Sequence, residues 1–66
     1  MKNTIRVERA ILNITQADLA AEVQVSRQTI NAIESNKYVP STVLALKIAR
    51  FFQKKLEDIF MLEDSD

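Results

Sequence analysis

Arg27, Gln28, Asn31 and Ala32 lie close together in the chain, and the first three end in planar hydrogen-bonding groups. Ile30 and Ile33 are the large apolar residues of the same stretch. On a helix they turn inward, and the spacing sends Gln28, Asn31, Ala32 and Ser35 outward, with Arg27 on the leading edge. An edge of this kind can make paired hydrogen bonds to flat groups that carry donors and acceptors side by side. Base edges in a DNA major groove are such groups: Arg27 matches guanine O6 and N7, Gln28 and Asn31 match adenine N6 and N7, and Ala32 suits a thymine methyl. The same residues would also suit a solvated helix face, and their types alone leave both readings standing.

Other chemistry is poorly served. The sequence has no cysteine and no histidine, so the usual zinc and haem ligands and the Ser-His and Cys-His pairs are missing. Serine, threonine and carboxylates are present, but no spacing assembles them into a triad or a metal cluster. The expectation is a non-enzyme with no cofactor and no metal.

The outward edge needs a helix to hold it, and the chain marks where its helices begin. Thr15 with Asp18 three residues on is close to a capping box, and Ser26 and Ser41 stand at two further N-cap positions. Pro40 biases Val39 away from helix and places a boundary there. Apolar spacing then gives helices over about 3–12, 16–23, 27–35, 42–53 and 56–61. Leu19, Ala20 and Val23 line the second, Ile30 and Ile33 the third, and Ala45, Ile48, Ala49 and Phe52 the fourth. Leu56, Ile59 and Phe60 are the buried residues of the fifth. The first is ambiguous: Ile5 and Leu12 share a face with Glu8 and Arg9, while Val7, Ala10, Ile11 and Ile14 make another. Only Gln24, Val25 and Ser26 separate the second and third helices, which is helix-turn-helix spacing, with Val25 as an apolar plug. With no glycine for tight hairpins the fold class is all-α, one compact five-helix domain over residues 1–66.

A 66-residue chain buries a small core, and oligomerisation is the staple left to it. Leu44, Phe51, Met61 and Leu62 exceed what the core stripes use. With Phe60 they form the candidate dimer interface, residues 56–66 serving as a dimerisation segment and acidic tail. A short pairing of residues 1–3 with residues 60–62 belongs to the same expectation. The zero net charge conceals a segregation: residues 1–56 hold nine bases and four acids, a net of +5, and the last ten residues hold five acids and no base. A cationic body suits a polyanionic partner. There is no apolar run of membrane-spanning length and no signal-peptide pattern, so the expected location is cytoplasmic, with no membrane partner.

Thr15–Ala20, Val23–Ile30 and Ile33–Ser41, together with Leu44–Ala49 and Leu56–Phe60, resemble the Cro/CI (XRE-type) helix-turn-helix regulators over almost the whole chain. The resemblance implies five helices and a dimer on double-stranded operator DNA, with the helix from Arg27 in the major groove. It implies base reading by Arg27, Gln28, Asn31 and Ala32. Phosphate contacts fall to Gln16 at a helix N-terminus and to Asn36, Lys37 and Tyr38 in the loop after the recognition helix. Gln16 is also expected to buttress Gln28, and Arg9 and Glu34 to form a partly buried salt bridge. Arg6, Lys47 and Lys54 read as ordinary surface bases. The chain departs from the family at Asn13, Gln24 and Asn36, where glycine is frequent and a left-handed backbone is implied, and at Glu8, where many relatives carry a buried leucine.

The leading functional expectation is a sequence-specific transcriptional regulator, a repressor binding a palindromic operator as a homodimer. The alternatives are the antitoxin of a toxin–antitoxin pair and a helical adaptor that binds protein and not DNA. The chain is too short for an added ligand domain, so no small-molecule effector is expected.

Overall fold

The computed structural model describes residues 1–66. Five helices follow in order, α1 (Ile5–Leu12), α2 (Gln16–Val23), α3 (Arg27–Glu34), α4 (Thr42–Phe51) and α5 (Leu56–Ile59), and two short strands, β1 (Lys2–Asn3) and β2 (Phe60–Met61), join the ends of the chain. The caps act where the sequence places them. Thr15 accepts from the Asp18 amide while Asp18 accepts from the Thr15 amide, closing a capping box at the start of α2. Hydrogen bonding of the Asp18 carboxyl to Thr15, by its backbone amide first and its side chain second, holds the carboxyl below its ordinary range. Ser26 accepts from the Thr29 amide and Ser41 from the Leu44 amide, fixing the starts of α3 and α4.

The boundaries differ from the expected ones at four places. α1 starts at Ile5 because Lys2 and Asn3 are spent pairing with Met61 and Phe60 in an antiparallel ladder. α3 ends at Glu34, with Ser35 as its C-cap. α4 ends at Phe51 because Phe52 caps it and Gln53 takes a left-handed conformation, φ 57°. α5 is a single turn because Phe60 is already extended, φ −118° and ψ 130°, and enters β2. A two-stranded ribbon is marginal alone. This one is tied to α5 by the Thr4 amide donating to the Ile59 carbonyl at 2.9 Å.

The core is one cluster. Leu19, Ala20 and Val23 of α2 meet Ile30 and Ile33 of α3 around α4, which buries Leu44, Ala45, Ile48 and Ala49, with Phe52 beside them. Ile5, Ile59 and Phe60 close the cluster from the chain ends, and Val25 packs against it from the turn. On α1 the buried stripe is the one with Ile5 and Glu8. Val7 and Ile11 face solvent, and Leu12, expected with Ile5, is 50% exposed. Glu8 can sit inside because Lys54 donates to it at 3.0 Å, so Lys54 is a counter-ion to a buried acid and not an ordinary surface base. At the other end of the chain, the tail acids Glu63 and Asp66 lie 3.2 and 3.1 Å from the Met1 amine.

Candidate nucleic-acid interface

α2 and α3 are joined by Gln24, Val25 and Ser26. Gln24 makes the reversal with φ 63° and donates its amide to the end of α2. Val25 then bonds back to the Ala20 carbonyl at 3.0 Å. Lys47 of α4 donates to the Gln24 side chain at 3.2 Å, so a second base expected to be free is tied to the turn. The turn leaves α3 with Ile30 and Ile33 buried and Arg27, Gln28 and Asn31 exposed along one edge; Ala32 is half-buried. At the far end, Asn36, Lys37 and Tyr38 are all exposed, and Asn36 has φ 62°.

A polar cluster lies behind this edge. Arg9 reaches from α1 and grips Glu34 through two hydrogen bonds, Nε to Oε2 at 2.7 Å and a terminal nitrogen to Oε1 at 2.9 Å. The Glu34 side chain is only 2% exposed and that of Arg9 14%. Burial works against ionisation of Glu34. The hydrogen bonds from Arg9 and Gln16, with the charges of Arg9 and Arg6, outweigh it and hold the carboxyl below its ordinary range. Arg6 lies 3.7 Å from the same carboxylate, so it too has a partner. Arg9 also donates to the Ile14 carbonyl at 3.1 Å, pinning the α1–α2 connection to the end of α3. The expected bridge between these elements is therefore present, and bidentate.

Gln16 departs from its expected buttressing of Gln28. Its partners are Glu34, to which its Nε2 donates at 3.3 Å, and Asn31, which donates to its Oε1 at 3.4 Å. No hydrogen bond joins it to Gln28. Gln28 lies in the first turn of α3, whereas Asn31 and Glu34 are one turn apart on the face that meets Gln16.

Of the residues assigned to the candidate dimer interface, Leu44 and Phe60 belong to the core, 8% and 7% exposed. Both are members of the single core cluster, so their side chains are not surplus. Phe51 and Met61 are half-buried and Leu62 is 82% exposed. Phe51 also stacks edge-on against Phe52, ring centres 5.2 Å apart. The side-chain role of Asn3, beyond its place in the terminal pairing, was missed. Its Nδ2 donates to the Ile33 carbonyl at 2.9 Å, and its Oδ1 accepts from the Ile5 amide, joining the terminal ribbon to the last turn of α3 and the first of α1. An Asn two residues ahead of a helix start was the available signal.

The arrangement is matched over residues 5–59 by the family model described as helix-turn-helix. The chain belongs to the helix-turn-helix family. It is 58% identical over 66 residues to an uncharacterised HTH-type transcriptional regulator of Methanocaldococcus jannaschii, covering 100% of both chains. It is 47% identical over 66 residues to another of Bacillus subtilis, again with 100% of both covered. A third, from Archaeoglobus fulgidus, is 47% identical over 66 residues, 100% of this chain and 93% of its own. These helix-turn-helix proteins are a DNA-binding regulator family and not an enzyme family. No helix is long and apolar enough to cross a membrane.

Proposed function

We propose that this helix-turn-helix protein is a sequence-specific transcriptional repressor that binds a palindromic operator as a homodimer, through α3 in the major groove. The observation that carries the reading is the exposed edge of α3. Arg27, Gln28 and Asn31 are exposed along it, on a helix fixed by the Ser26 cap, by Ile30 and Ile33 beneath, and by the Arg9–Glu34 pair at its end. Docking the N-terminal part of α3 against the bases puts Arg27 and Gln28 at base edges, with Ala32 beside them. The exposed loop residues Asn36, Lys37 and Tyr38 and the N-terminus of α2 at Gln16 then meet phosphates, which set register without carrying sequence. Phe51, Met61 and Leu62 supply apolar surface for a two-fold contact, with Leu44 and Phe60 as the packed floor beneath. Such a contact is self-complementary and would set two copies of α3 about 34 Å apart, one turn of DNA.

Selection from randomised duplexes tests the reading. The expected product is a two-fold symmetric site, bound as two protein copies in sedimentation. Enrichment of no sequence would remove the DNA-reading function. A monomer at high micromolar concentration, with and without the selected DNA, would remove the dimer.

A further inference from the structure

We propose that Glu34 acts through Gln16 to fix the orientation of the Asn31 side-chain amide, making Asn31 an adenine-reading residue and Gln16 its positioning residue. The inference rests on the DNA-reading function proposed above and assigns a chemical class of base to one position of the site.

Each hydrogen bond in the cluster has a direction, and the directions are linked. Ionised Glu34 can only accept. Arg9 holds it by two hydrogen bonds, so its Oε1 stays in place beside α2. The group that Gln16 turns toward that oxygen must be its NH2, at 3.3 Å. The Gln16 Oε1 therefore faces the other way, toward Asn31, one turn earlier on α3. Asn31 meets it with its own NH2, at 3.4 Å. A carboxylate that cannot donate thus biases two amide orientations in succession, on two different helices. One N–H of Asn31 is spent on Gln16; its Oδ1 and second N–H remain for a partner. That remaining pair, one acceptor and one donor, complements adenine N6–H and N7 in the major groove. Guanine offers two acceptors there and would face the Asn31 oxygen with another oxygen. The two relay bonds are long and exposed at Asn31, so the relay biases orientation without locking it.

The fold does not depend on the relay. Removing Gln16 leaves Glu34 with both hydrogen bonds from Arg9. Base preference can therefore be read in a folded variant, using site selection and competition binding with single-base operator variants. Wild-type protein is expected to prefer adenine at one position per half-site, by roughly 5- to 150-fold over the other bases. Asn31→Ala should abolish that preference. Gln16→Met, of similar shape but with no amide, should reduce it several-fold at that position alone. If Gln16 also grips a phosphate, its removal weakens binding to all sequences by the same factor, which cancels in the ratio. Asn31→Asp, which can only accept, should move the preference from adenine to cytosine, whose N4 group donates. The relay is overturned if Gln16→Met leaves discrimination at that position unchanged, or reduces discrimination at every position alike. A wild-type consensus that Asn31→Ala does not alter also overturns it, while leaving DNA reading intact. Wild-type protein that selects no sequence overturns both the relay and the function beneath it.

Discussion

Glu34 concentrates the energetics of individual residues in this molecule. It is almost fully buried, ionised, and surrounded by Arg9, Gln16 and Arg6. A pair of this kind adds little net stability when complete, because desolvation offsets the Coulomb attraction, but losing one partner leaves a buried charge stranded. Arg9 is the partner whose removal strands Glu34. Removing Glu34 in turn leaves the Arg9 guanidinium largely enclosed, with only the Ile14 carbonyl as acceptor. Glu34→Ala is expected to lower the unfolding free energy by about 3 kcal/mol, against less than about 1 kcal/mol for an exposed Glu. Urea denaturation reads the difference, and an unchanged midpoint would show that the pair contributes nothing. The carboxyl is held below its ordinary range in the folded state, so its contribution is complete above the unfolded Glu value of about 4.3. It is lost as the pH falls from there through the lower folded value. The gap in stability between wild type and Glu34→Ala should therefore narrow on acidification, with the acids common to both proteins cancelling. Glu8 makes a contrasting case. Its counter-ion Lys54 is 44% exposed, so this second pair is partly solvated, and the leucine that many relatives are expected to carry would fit the same apolar stripe.

At the scale of elements, the chain builds four left-handed residues without a single glycine: Asn13, Gln24, Asn36 and Gln53. Asn tolerates this region through its short polar side chain, whereas Gln has a full β-carbon penalty and no local compensation. At Gln24 the penalty sits in the turn that aims α3. Gln24→Gly is expected to relieve about 1–2 kcal/mol of strain and to give back about 0.5–1 kcal/mol through the unfolded chain, a net gain of up to about 1.5 kcal/mol. For a domain of this size each kcal/mol gained raises the melting temperature by about 4–8 °C. A lower melting temperature would mean that the Lys47 hydrogen bond to the Gln24 side chain outweighs the strain. Three of the four left-handed positions were legible through the family resemblance. Gln53 was not, because nothing in Phe52-Gln53-Lys54 marks a reversal. The α2 limits were fully legible, since Thr15 and Asp18 mark its start and apolar spacing reaches Val23. The ends of α4 and α5 were not: α4 stops at the unmarked left-handed turn at Gln53, and α5 stops because Phe60 pairs with Asn3, at the other end of the chain. The site divides in the same way. Which α3 residues face outward followed from Ile30 and Ile33. That Gln16 would turn to Asn31 and Glu34 rather than to Gln28 depends on how α2 and α3 sit against each other, which no local pattern encodes.

At the scale of the whole molecule, the proposed function assigns reading and gripping to different parts, which makes them separable by mutation. The net charge is zero, so attraction to DNA must come from the separation of a cationic body from an acidic tail. Two of the tail acids are already engaged with the Met1 amine on the terminal ribbon. Lys37 stands exposed in the loop after α3, beside Tyr38, with no acidic partner within salt-bridge distance. If it grips a phosphate, Lys37→Ala should weaken binding to every sequence alike and lower the slope of log affinity against log salt by about 1 per phosphate gripped, hence about 2 for a dimer. Arg27→Ala and Gln28→Ala should instead relax the preference at one base pair each per half-site, by about 1–3 kcal/mol for each bidentate pair removed. Gln28→Ala, being neutral, should leave the salt slope unchanged. Salt titrations of the three variants on the selected operator and its single-base changes measure both quantities at once. If Lys37→Ala alters base preference while Arg27→Ala and Gln28→Ala do not, α3 is not the reading helix, and the loop after it must enter the groove instead.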